Sequence, residues 1–431
     1  MPLMKRQQYL NKLLSFQDSE MIKVITGIRR CGKSSMLKLM IDELKRQGKS
    51  ENQILSINFE SMEFSSMTPQ ELHDYVLKRR VNNKMYLFFD EVQVIEGWQK
   101  AINSFRIDFD CDIYITGSNA YLLSSELSTY LSGRYVEIKM YPLSFREFVE
   151  MNNYTILKSE HEKNRLAMDV KGGIVSLTTI FDLYVKFGGM PLVSGLDFSQ
   201  EKITSILEGV YSAVVIRDIL ERGRRTGQST ITDPLLLKKI IMFLSDSIGS
   251  SISASNISNA LVNSGVVEGH NRKTSPATKT ILIYIESLLE SYIFYAIKRY
   301  DIRGKQYLQT LGKYYIVDTG LRNYILGFRE GDRGHLLENI VYFELLRSGY
   351  EVAVGKVDDK EVDFIATKTD VKKYIQVTQS IQQADTRNRE VDPLMKIRDN
   401  YDKIILCLDN EPAGTIDGIK VVNLLDFLLE E

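Results

Sequence analysis

The sequence has few cysteines, few histidines and one tryptophan, and this scarcity excludes several kinds of site. The three cysteines among the 431 residues, Cys31, Cys111 and Cys407, lie far apart and form no C-x-x-C pair, so a disulfide framework is not expected. The four histidines are scattered singly, none at metal-ligand spacing from another, which argues against a zinc site. We predict a protein of a reducing compartment, the cytoplasm, and interpret Trp98 as a packing residue.

Long apolar runs and an excess of one charge are also missing. No apolar run approaches the roughly 18 to 20 residues that span a bilayer, and the N-terminal stretch "MPLMKRQQYLNKLLSF" lacks the apolar core of a leader. The 55 Lys and Arg balance the 56 Asp and Glu, so net charge gives no general attraction to nucleic acid or membrane. We therefore predict no membrane partner and only local basic surfaces.

Length and composition favour several ordinary folded domains. A chain of 431 residues exceeds the size at which a single hydrophobic core stops growing, so we expect three or four domains. Hydrophobic residues make up 44% and charged residues 26%, close to the average of globular proteins. Neither a fibrous protein nor wholesale disorder is expected.

The stretch "GIRRCGKSS" fits the phosphate-loop pattern G-x-x-x-x-G-K-[ST]. Its glycines let backbone N–H groups approach phosphates, Lys33 meets the terminal phosphates and Ser34 binds Mg²⁺. A buried strand, "MIKVIT", precedes the loop and an amphipathic helix follows it, which is the order the motif requires. The helix N-terminus adds a partial positive charge where an anion would sit.

We predict binding of ATP and Mg²⁺, with nucleotide contacts from Gly27, Ile28, Arg29, Arg30, Cys31, Gly32, Lys33, Ser34 and Ser35. For Arg29 and Arg30 an orientation towards solvent or a partner remains the alternative.

A second apolar strand, in "MYLFFDEVQVIEGW", ends in two carboxylates. In the P-loop arrangement Asp90 would help to hold Mg²⁺, together with Ser34, and Glu91 would orient or deprotonate the attacking water. The alternative for both is a solvated acidic turn. We predict Glu91 and Lys33 as catalytic residues.

Four segments, "TGIRRCGKSS", "FFDEVQVIEGW", "YITGSNA" and "LSGRYVEIKMYPLSFREF", resemble a widespread bacterial and archaeal family of AAA-type ATPases. The resemblance implies an α/β fold with an AAA-type P-loop domain over residues 1–150, followed by a poorly characterised C-terminal region. In such ATPases a polar residue at a strand end senses the γ-phosphate, and Asn119 or Ser118 resembles it. Arg134 resembles an arginine finger that neutralises transition-state charge, although a surface arginine is the alternative.

The middle of the chain contains two further predicted domains. Residues 151–235 have mostly helical periodicity and resemble the helical lid of AAA-type proteins. Residues 236–330 give three helical patterns and then short strands, which resembles a winged helix. In that fold the third helix enters a DNA major groove, and the candidate DNA contacts are Lys273, Ser275, Thr278 and Lys279. Packing against protein is the alternative.

Residues 331–431 give a helix, a strand, a strand that ends near Asp363 and another strand that contains Gln376. This order resembles the restriction-endonuclease-like fold. In that fold an acidic residue and an E-x-K sequence hold Mg²⁺, but here the E-x-K positions read Gln376, Val377 and Thr378. Glutamine adds no negative charge and threonine supplies no ammonium. We predict a degenerate nuclease site of Glu338, Asp363 and Gln376, retained for binding.

Three functions remain open from the sequence. The first is an ATPase that couples hydrolysis to the binding of DNA or a protein partner. The second is a nucleotide-gated binding module with slow or no turnover. The third, less favoured, is an ATP-dependent nuclease.

Overall fold

The computed structural model describes residues 3–120, 131, 133–157, 165–221, 231–263, 278–410 and 414–430. The chain divides into two compact units: Met1–Pro142 with Glu290–Tyr292, and Leu143–Leu289 with Ile293–Glu431. Each unit has its own hydrophobic core. Within the described ranges, no helix is long and apolar enough to cross a membrane.

The first unit contains a five-stranded parallel sheet with helices between its strands. Its strands are β1 Ile22–Thr26, β2 Ile54–Asn58, β3 Met85–Asp90, β4 Cys111–Gly117 and β5 Tyr135–Lys139. Its helices are α1 Gln7–Ser15, α2 Lys33–Arg46, α3 Pro69–Leu77 and α4 Trp98–Asp108. The strand order is β2-β3-β4-β1-β5, and every neighbouring pair is parallel. The predicted parallel α/β sheet is thus confirmed, and the carboxyl ends of β1, β3 and β4 lie at one edge.

Complete burial characterises the strands β1 and β3, which are mostly apolar. Every residue of β1 and β3 is buried, as expected for parallel strands covered on both faces. Trp98 is buried in the core beside them. Local capping fixes the helix ends: α3 begins with Pro69 and has a capping box between Thr68 and Glu71.

A buried ion pair joins β1 to β4 inside the sheet. Lys23 is fully buried and its ammonium binds the carboxylate of Asp112. Asp112 also accepts hydrogen bonds from the Tyr114 hydroxyl at 2.9 Å and from the backbone N–H of Asp18 at 2.8 Å. Removal of either partner would leave a buried charge uncompensated, which is strongly destabilising.

The second unit contains two sheets and most of the helices. Its helices are α5 Phe145–Met151, α6 Leu177–Phe187, α7 Gln200–Ser212, α8 Pro234–Asp246, α9 Ala254–Asn263, α10 Thr278–Glu290, α11 Thr319–Leu326, α12 Arg333–Arg347, α13 Ala384–Met395 and α14 Leu424–Leu429, with a π-helical segment Ala213–Glu221. The last residue of α10 belongs to the first unit. The strands are β6 Thr155–Ile156, β7 Leu166–Met168, β8 Ile174–Ser176, β9 Ser251–Ile252, β10 Phe294–Asp301, β11 Gln306–Ile316, β12 Glu351–Val357, β13 Lys360–Lys368, β14 Val371–Val377, β15 Asp402–Cys407, β16 Thr415–Ile416 and β17 Ile419–Asn423.

The larger sheet of this unit has nine strands in the order β16-β17-β15-β14-β13-β12-β10-β11-β9. β10 and β11 pair antiparallel, and β10 pairs parallel with β12 through Arg299–Asp301 and Val354–Lys356. Strands from both sides of residue 330 therefore share one sheet. The division into lid, winged helix and nuclease-like domain, with boundaries after residues 150, 235 and 330, stays a prediction.

Two local features differ from the sequence-based expectation. Strands β6, β7 and β8 form a small antiparallel sheet in the region expected to be mostly helical. Each has only two or three residues, too few for alternation to be recognised. Asp363 lies within β13 rather than near its end, because the apolar run continues beyond it.

A tight joint connects α6 to α11 in the second unit. Asp318 caps α11 by accepting the Leu321 N–H at 3.0 Å, and it also accepts the Gly189 N–H at 2.7 Å. A Cβ on Gly320 would lie 2.1 Å from the Phe187 carbonyl oxygen. The N-terminus of α11 thus packs against the end of α6 so closely that only glycine fits at position 320.

Candidate functional site

The phosphate loop lies between β1 and α2 and depends on two glycines. Gly27 has φ +143°, and a Cβ there would lie 2.1 Å from the Met140 carbonyl oxygen. Gly32 has φ +107° and is the N-cap of α2. Both conformations are open to glycine and strained for other residues. The loop is thus held against the strand that ends at Lys139, with the N-terminus of α2 at its end.

The side chain of Lys33 is buried inside this loop. Its ammonium donates to the carbonyl oxygens of Gly27 at 3.0 Å and Ile28 at 3.2 Å. It also lies 3.8 Å from Oε1 of Glu91. The loop therefore surrounds a fixed positive charge that faces the acidic pair.

Asp90 and Ser34, the two predicted metal ligands, are brought together. The Ser34 hydroxyl is hydrogen-bonded to the Asp90 carboxylate, and the Thr116 hydroxyl donates to Asp90 Oδ1 at 2.5 Å. Burial raises the pKa of Asp90, and these two hydroxyls oppose the increase. Asp90 is 7% exposed, whereas Ser34 is exposed, so a ligand can reach the pair from the Ser34 side.

Glu91 is held in an unusual backbone conformation at the end of β3. Its φ is +54°, a left-handed conformation that is strained for glutamate and is often found at functional sites. Its N–H donates to Thr116 Oγ1 at 2.9 Å, and its carboxylate binds Gln93 and Ser118. Burial alone would raise its pKa, but the cations of Lys33 and Arg29 outweigh burial and the net pKa is lowered. Glu91 is therefore an ionised acceptor at neutral pH.

The other predicted nucleotide-site residues occupy varied environments. Arg29 pairs with Glu60 at 3.0 Å, and Arg30 is exposed with φ +63°. Asn119 is buried just beyond β4, close in sequence to Thr116 and Ser118. Ile28 and Cys31 are buried, and Ser35 is half-buried. The predicted nucleotide contacts of these residues stay predictions.

Arg134, the predicted arginine finger, lies at the surface of the first unit. It is exposed just before β5, and its carbonyl accepts from the Ile22 N–H at 2.9 Å. Among the residues that the structure describes, its side chain forms no hydrogen bond or ion pair with the phosphate loop. Its predicted role stays a prediction.

Arg6 is a contributor to the site that sequence reasoning missed. It is 5% exposed, and its guanidinium donates to the carbonyl oxygens of Cys31 at 3.0 Å, Tyr141 at 2.9 Å and Pro142 at 3.3 Å. Because the C=O and N–H of a planar peptide point in opposite directions, this anchor on Cys31 directs the Gly32 N–H away from Arg6. No motif marks Arg6, since its partners are distant in sequence.

The candidate DNA contacts are only partly described. Lys273 and Ser275 lie outside the described residues. Thr278 and Lys279 begin α10 and are exposed. The DNA contact stays a prediction.

The predicted degenerate nuclease residues belong to a partly buried charged cluster. The Lys313 ammonium lies 3.3 Å from Glu338 and 2.8 Å from Glu361. Burial and the negative charge of Glu338 raise the pKa of Asp363. Burial alone would lower the pKa of Lys313, but the surrounding carboxylates raise it. Lys313 thus supplies the countercharge to these carboxylates.

Gln376 is occupied by other contacts. Its side-chain oxygen accepts from the Asp363 N–H at 2.7 Å, and its amide donates to Glu390 at 2.9 Å. Throughout the described ranges, no group of three or more His, Cys, Asp and Glu side chains is arranged to hold a metal ion. The buried Gln376 side chain therefore links its own strand, β14, to β13 and to α13 by hydrogen bonds.

Comparisons with known proteins match these observations. Residues 19–149 match a family described as an AAA domain, and residues 178–332 match a domain of unknown function. An uncharacterised protein of Haemophilus influenzae is 40% identical over 431 residues, 99% of each chain. An uncharacterised protein of Methanocaldococcus jannaschii is 28% identical over 375 residues, 86% of this chain and 77% of that protein.

Among solved structures, the Walker-type ATPase of Pyrococcus abyssi shows a partial likeness. It is 17% identical, with a TM-score of 0.48, over 74% of this chain and 95% of that chain. The AAA match covers the phosphate loop, Asp90 and Glu91 together, so residues 19–149 are an AAA-type P-loop domain, a nucleotide-binding class. By its identity along nearly the whole of both chains, the protein belongs to the same family as the Haemophilus influenzae protein.

Proposed function

We propose that this protein is an ATPase that hydrolyses ATP to ADP and phosphate at the phosphate loop of residues 27–35. One observation carries the proposal: the end of β3 meets the loop, with Asp90 bound to Ser34 and Glu91 3.8 Å from Lys33. These are the groups that phosphoryl transfer from a nucleotide requires, at contact distance and on rigid elements.

The proposed Mg²⁺ site consists of Ser34 and Asp90. A hydroxyl and a carboxylate are oxygen ligands of the kind that Mg²⁺ prefers, usually with phosphate oxygens and water completing its coordination. Their shared hydrogen bond and the exposure of Ser34 fit such a site. When bound, Mg²⁺ would neutralise charge on the β- and γ-phosphates.

Glu91 and Lys33 are the proposed catalytic residues. The lowered pKa of Glu91 keeps it ionised, so it orients a water molecule and accepts its proton as the water oxygen bonds to the γ-phosphorus. The bond between that phosphorus and the bridging oxygen breaks, and ADP leaves. The ammonium of Lys33 stabilises the negative charge on the transferred group. Electrostatic stabilisation of this kind is usually the largest single contribution to the rate enhancement of an enzyme.

A second candidate is a nucleotide-gated binding module with slow turnover. One contact favours it: Gln93 binds Oε2 of Glu91 while Lys33 lies 3.8 Å from Oε1. Both oxygens of the proposed base are engaged, so a water molecule must compete for them. A partner, either DNA or a protein, would then be needed to release Glu91 for rapid hydrolysis.

Phosphate release with Mg²⁺ and ATP, with and without single- and double-stranded DNA, tests these proposals. We expect Glu91→Gln to bind ATP but to lose roughly 10²–10⁴-fold in turnover, the usual contribution of a general base. Lys33→Ala should lose ATP binding. Glu96→Gln is the matched control, because Glu96 is exposed in the same segment.

The outcomes separate the candidates. Full turnover in Glu91→Gln, or failure of the wild-type protein to bind ATP, would contradict the proposed ATPase. Tight binding with turnover that stays very low with every partner would favour the gated module. Stimulation by DNA that both variants abolish would assign DNA as the partner.

A further inference from the structure

Three residues, Glu290–Tyr292, belong to the first unit although the chain on both sides of them belongs to the second. Glu290 is the last residue of α10, and only Ile293 separates Tyr292 from Phe294, the first residue of β10. The first unit, which contains the phosphate loop, is thus completed by a short segment that lies almost 150 residues after Pro142 in the sequence.

The first contact of this segment is with the end of β4. The Glu290 carbonyl oxygen accepts the Ala120 N–H at 2.8 Å. Ala120 directly follows Asn119, the residue predicted to sense the γ-phosphate. The Ala120 N–H belongs to the peptide group that joins Asn119 to Ala120. A shift of Asn119 would therefore move the hydrogen-bond donor that contacts Glu290.

The second contact is with the strand that leads into the phosphate loop. The Tyr292 hydroxyl lies 3.5 Å from Glu137 Oε1 and is hydrogen-bonded to Thr26. Thr26 in turn donates to the same Glu137 oxygen at 2.7 Å. Thr26 directly precedes Gly27, so Tyr292 is bonded to the last residue before the phosphate loop.

The backbone of the segment is strained. Tyr292 has φ +59° and is 5% exposed, and Ser291 is fully buried. A bulky residue keeps a left-handed conformation only where its surroundings impose it. Since the surroundings here are the ends of β1 and β4 and the middle of β5, a shift of those strands would relax or increase the strain.

We propose that Glu290–Tyr292 couples the nucleotide state of the phosphate loop to the second unit. This inference rests on the proposed function, since it requires a nucleotide at the loop. Nucleotide binding shifts Thr26 and Ala120, and the covalent chain carries the shift into α10 on one side and β10 on the other. By linkage, a ligand of the second unit that changes the same segment alters ATP affinity by the same factor.

Hydrogen exchange of the full-length protein, with and without Mg²⁺ and a non-hydrolysable ATP analogue, tests the coupling. In the wild-type protein we expect peptides covering residues 24–37 and 278–301 both to change, the latter by roughly fivefold or more, the low end of measured coupling between sites. In Tyr292→Phe, which keeps the ring and loses the hydroxyl, the change at 24–37 should persist and the change at 278–301 should shrink. Tyr295→Phe is the matched control, since Tyr295 is half-buried in β10 of the second unit.

Each outcome decides the inference. Protection at residues 24–37 without any response at 278–301 in the wild-type protein would overturn the coupling and leave the nucleotide site intact. An equal response at 278–301 in wild type, Tyr292→Phe and Tyr295→Phe would also overturn it. Absence of protection at 24–37 in the wild-type protein would overturn both the coupling and the proposed function.

Discussion

Single side chains decide how well the phosphate loop is formed before any nucleotide arrives. Lys33 is pre-positioned by two loop carbonyls, and Arg6 anchors the loop from behind through Cys31. An anchored loop loses less conformational freedom on binding than a flexible loop does. Arg6 is therefore expected to contribute to ATP affinity without touching the nucleotide.

Replacement of Arg6 by methionine tests this role. The variant removes three hydrogen bonds that two guanidinium nitrogens donate to buried carbonyl oxygens, and an unsatisfied buried group costs about 1–3 kcal/mol. We expect the free energy of unfolding in urea to fall by about 2–4 kcal/mol and ATP to bind at least roughly tenfold more weakly, a loss of about 1.4 kcal/mol. Isothermal titration measures the second effect on protein that remains folded.

The neighbouring exposed residue supplies the control for that experiment. Lys5→Met removes a cation from the same segment, but Lys5 is exposed. The free energy of unfolding and the affinity for ATP should therefore both stay close to their wild-type values. If Arg6→Met bound ATP as tightly as Lys5→Met, the anchor would have no role in nucleotide binding.

The sequence predicted some of these side chains and missed others for a clear reason. Lys33 and Ser34 are fixed by spacing within one loop, and Asp90 by its place at the end of an apolar strand, so local pattern is enough. Arg6 and Tyr292 act through partners such as Tyr141 and Glu137, which lie more than a hundred residues away. One sequence carries no record of such contacts.

Among helices and strands, the joint between α6 and α11 has a titratable group at its centre. Asp318 is fully buried against backbone N–H groups of Gly189 and Leu321. Burial raises its pKa from 3.8 to about 6, and the backbone hydrogen bonds only partly oppose this. The folded protein therefore binds this proton more tightly than the unfolded chain does.

The sign of the pH effect follows from that difference. Between pH 3.8 and about 6 the folded state holds more protons at Asp318, so the free energy of unfolding falls as pH rises through this window. At about 1.4 kcal/mol per pH unit the loss from this group reaches about 3 kcal/mol. The free energy of unfolding of Asp318→Asn, measured in urea, should lack this decrease with rising pH. That of Asp370→Asn, a change at an exposed turn, should keep the decrease. Equal slopes in all three proteins would contradict the assignment.

Strands were predicted well where they are long and fully buried, and poorly where they are short. β1 and β3 are mostly apolar and fully buried, and the position of β1 just before the phosphate loop follows from the motif. β6, β7 and β8 have two or three residues each, so their pairing with one another, rather than any sequence pattern, defines them. The π-helical segment Ala213–Glu221 likewise has no signature that separates it from an α-helix.

For the whole chain, the first unit is not one continuous stretch of sequence. The predicted domain of residues 1–150 compares with a unit of Met1–Pro142 plus Glu290–Tyr292. A three-residue segment has no periodicity, so its return to the first unit was invisible in the sequence. The winged-helix and nuclease-like assignments stay predictions, and the shared sheet bears on how they should be tested.

That shared sheet has a practical consequence for dissecting the protein. β10 and β12 lie on opposite sides of residue 330 and pair along Arg299–Asp301 and Val354–Lys356. Fragments 1–330 and 331–431 would each expose an unpaired strand edge, which promotes association with other chains.

We expect each fragment to elute in size-exclusion chromatography as aggregates and the two to be rescued by co-expression. A fragment 331–431 that is monomeric and folded alone would show that the C-terminal strands are self-sufficient. Expression boundaries for the second unit should therefore be chosen from strand order rather than from motif position.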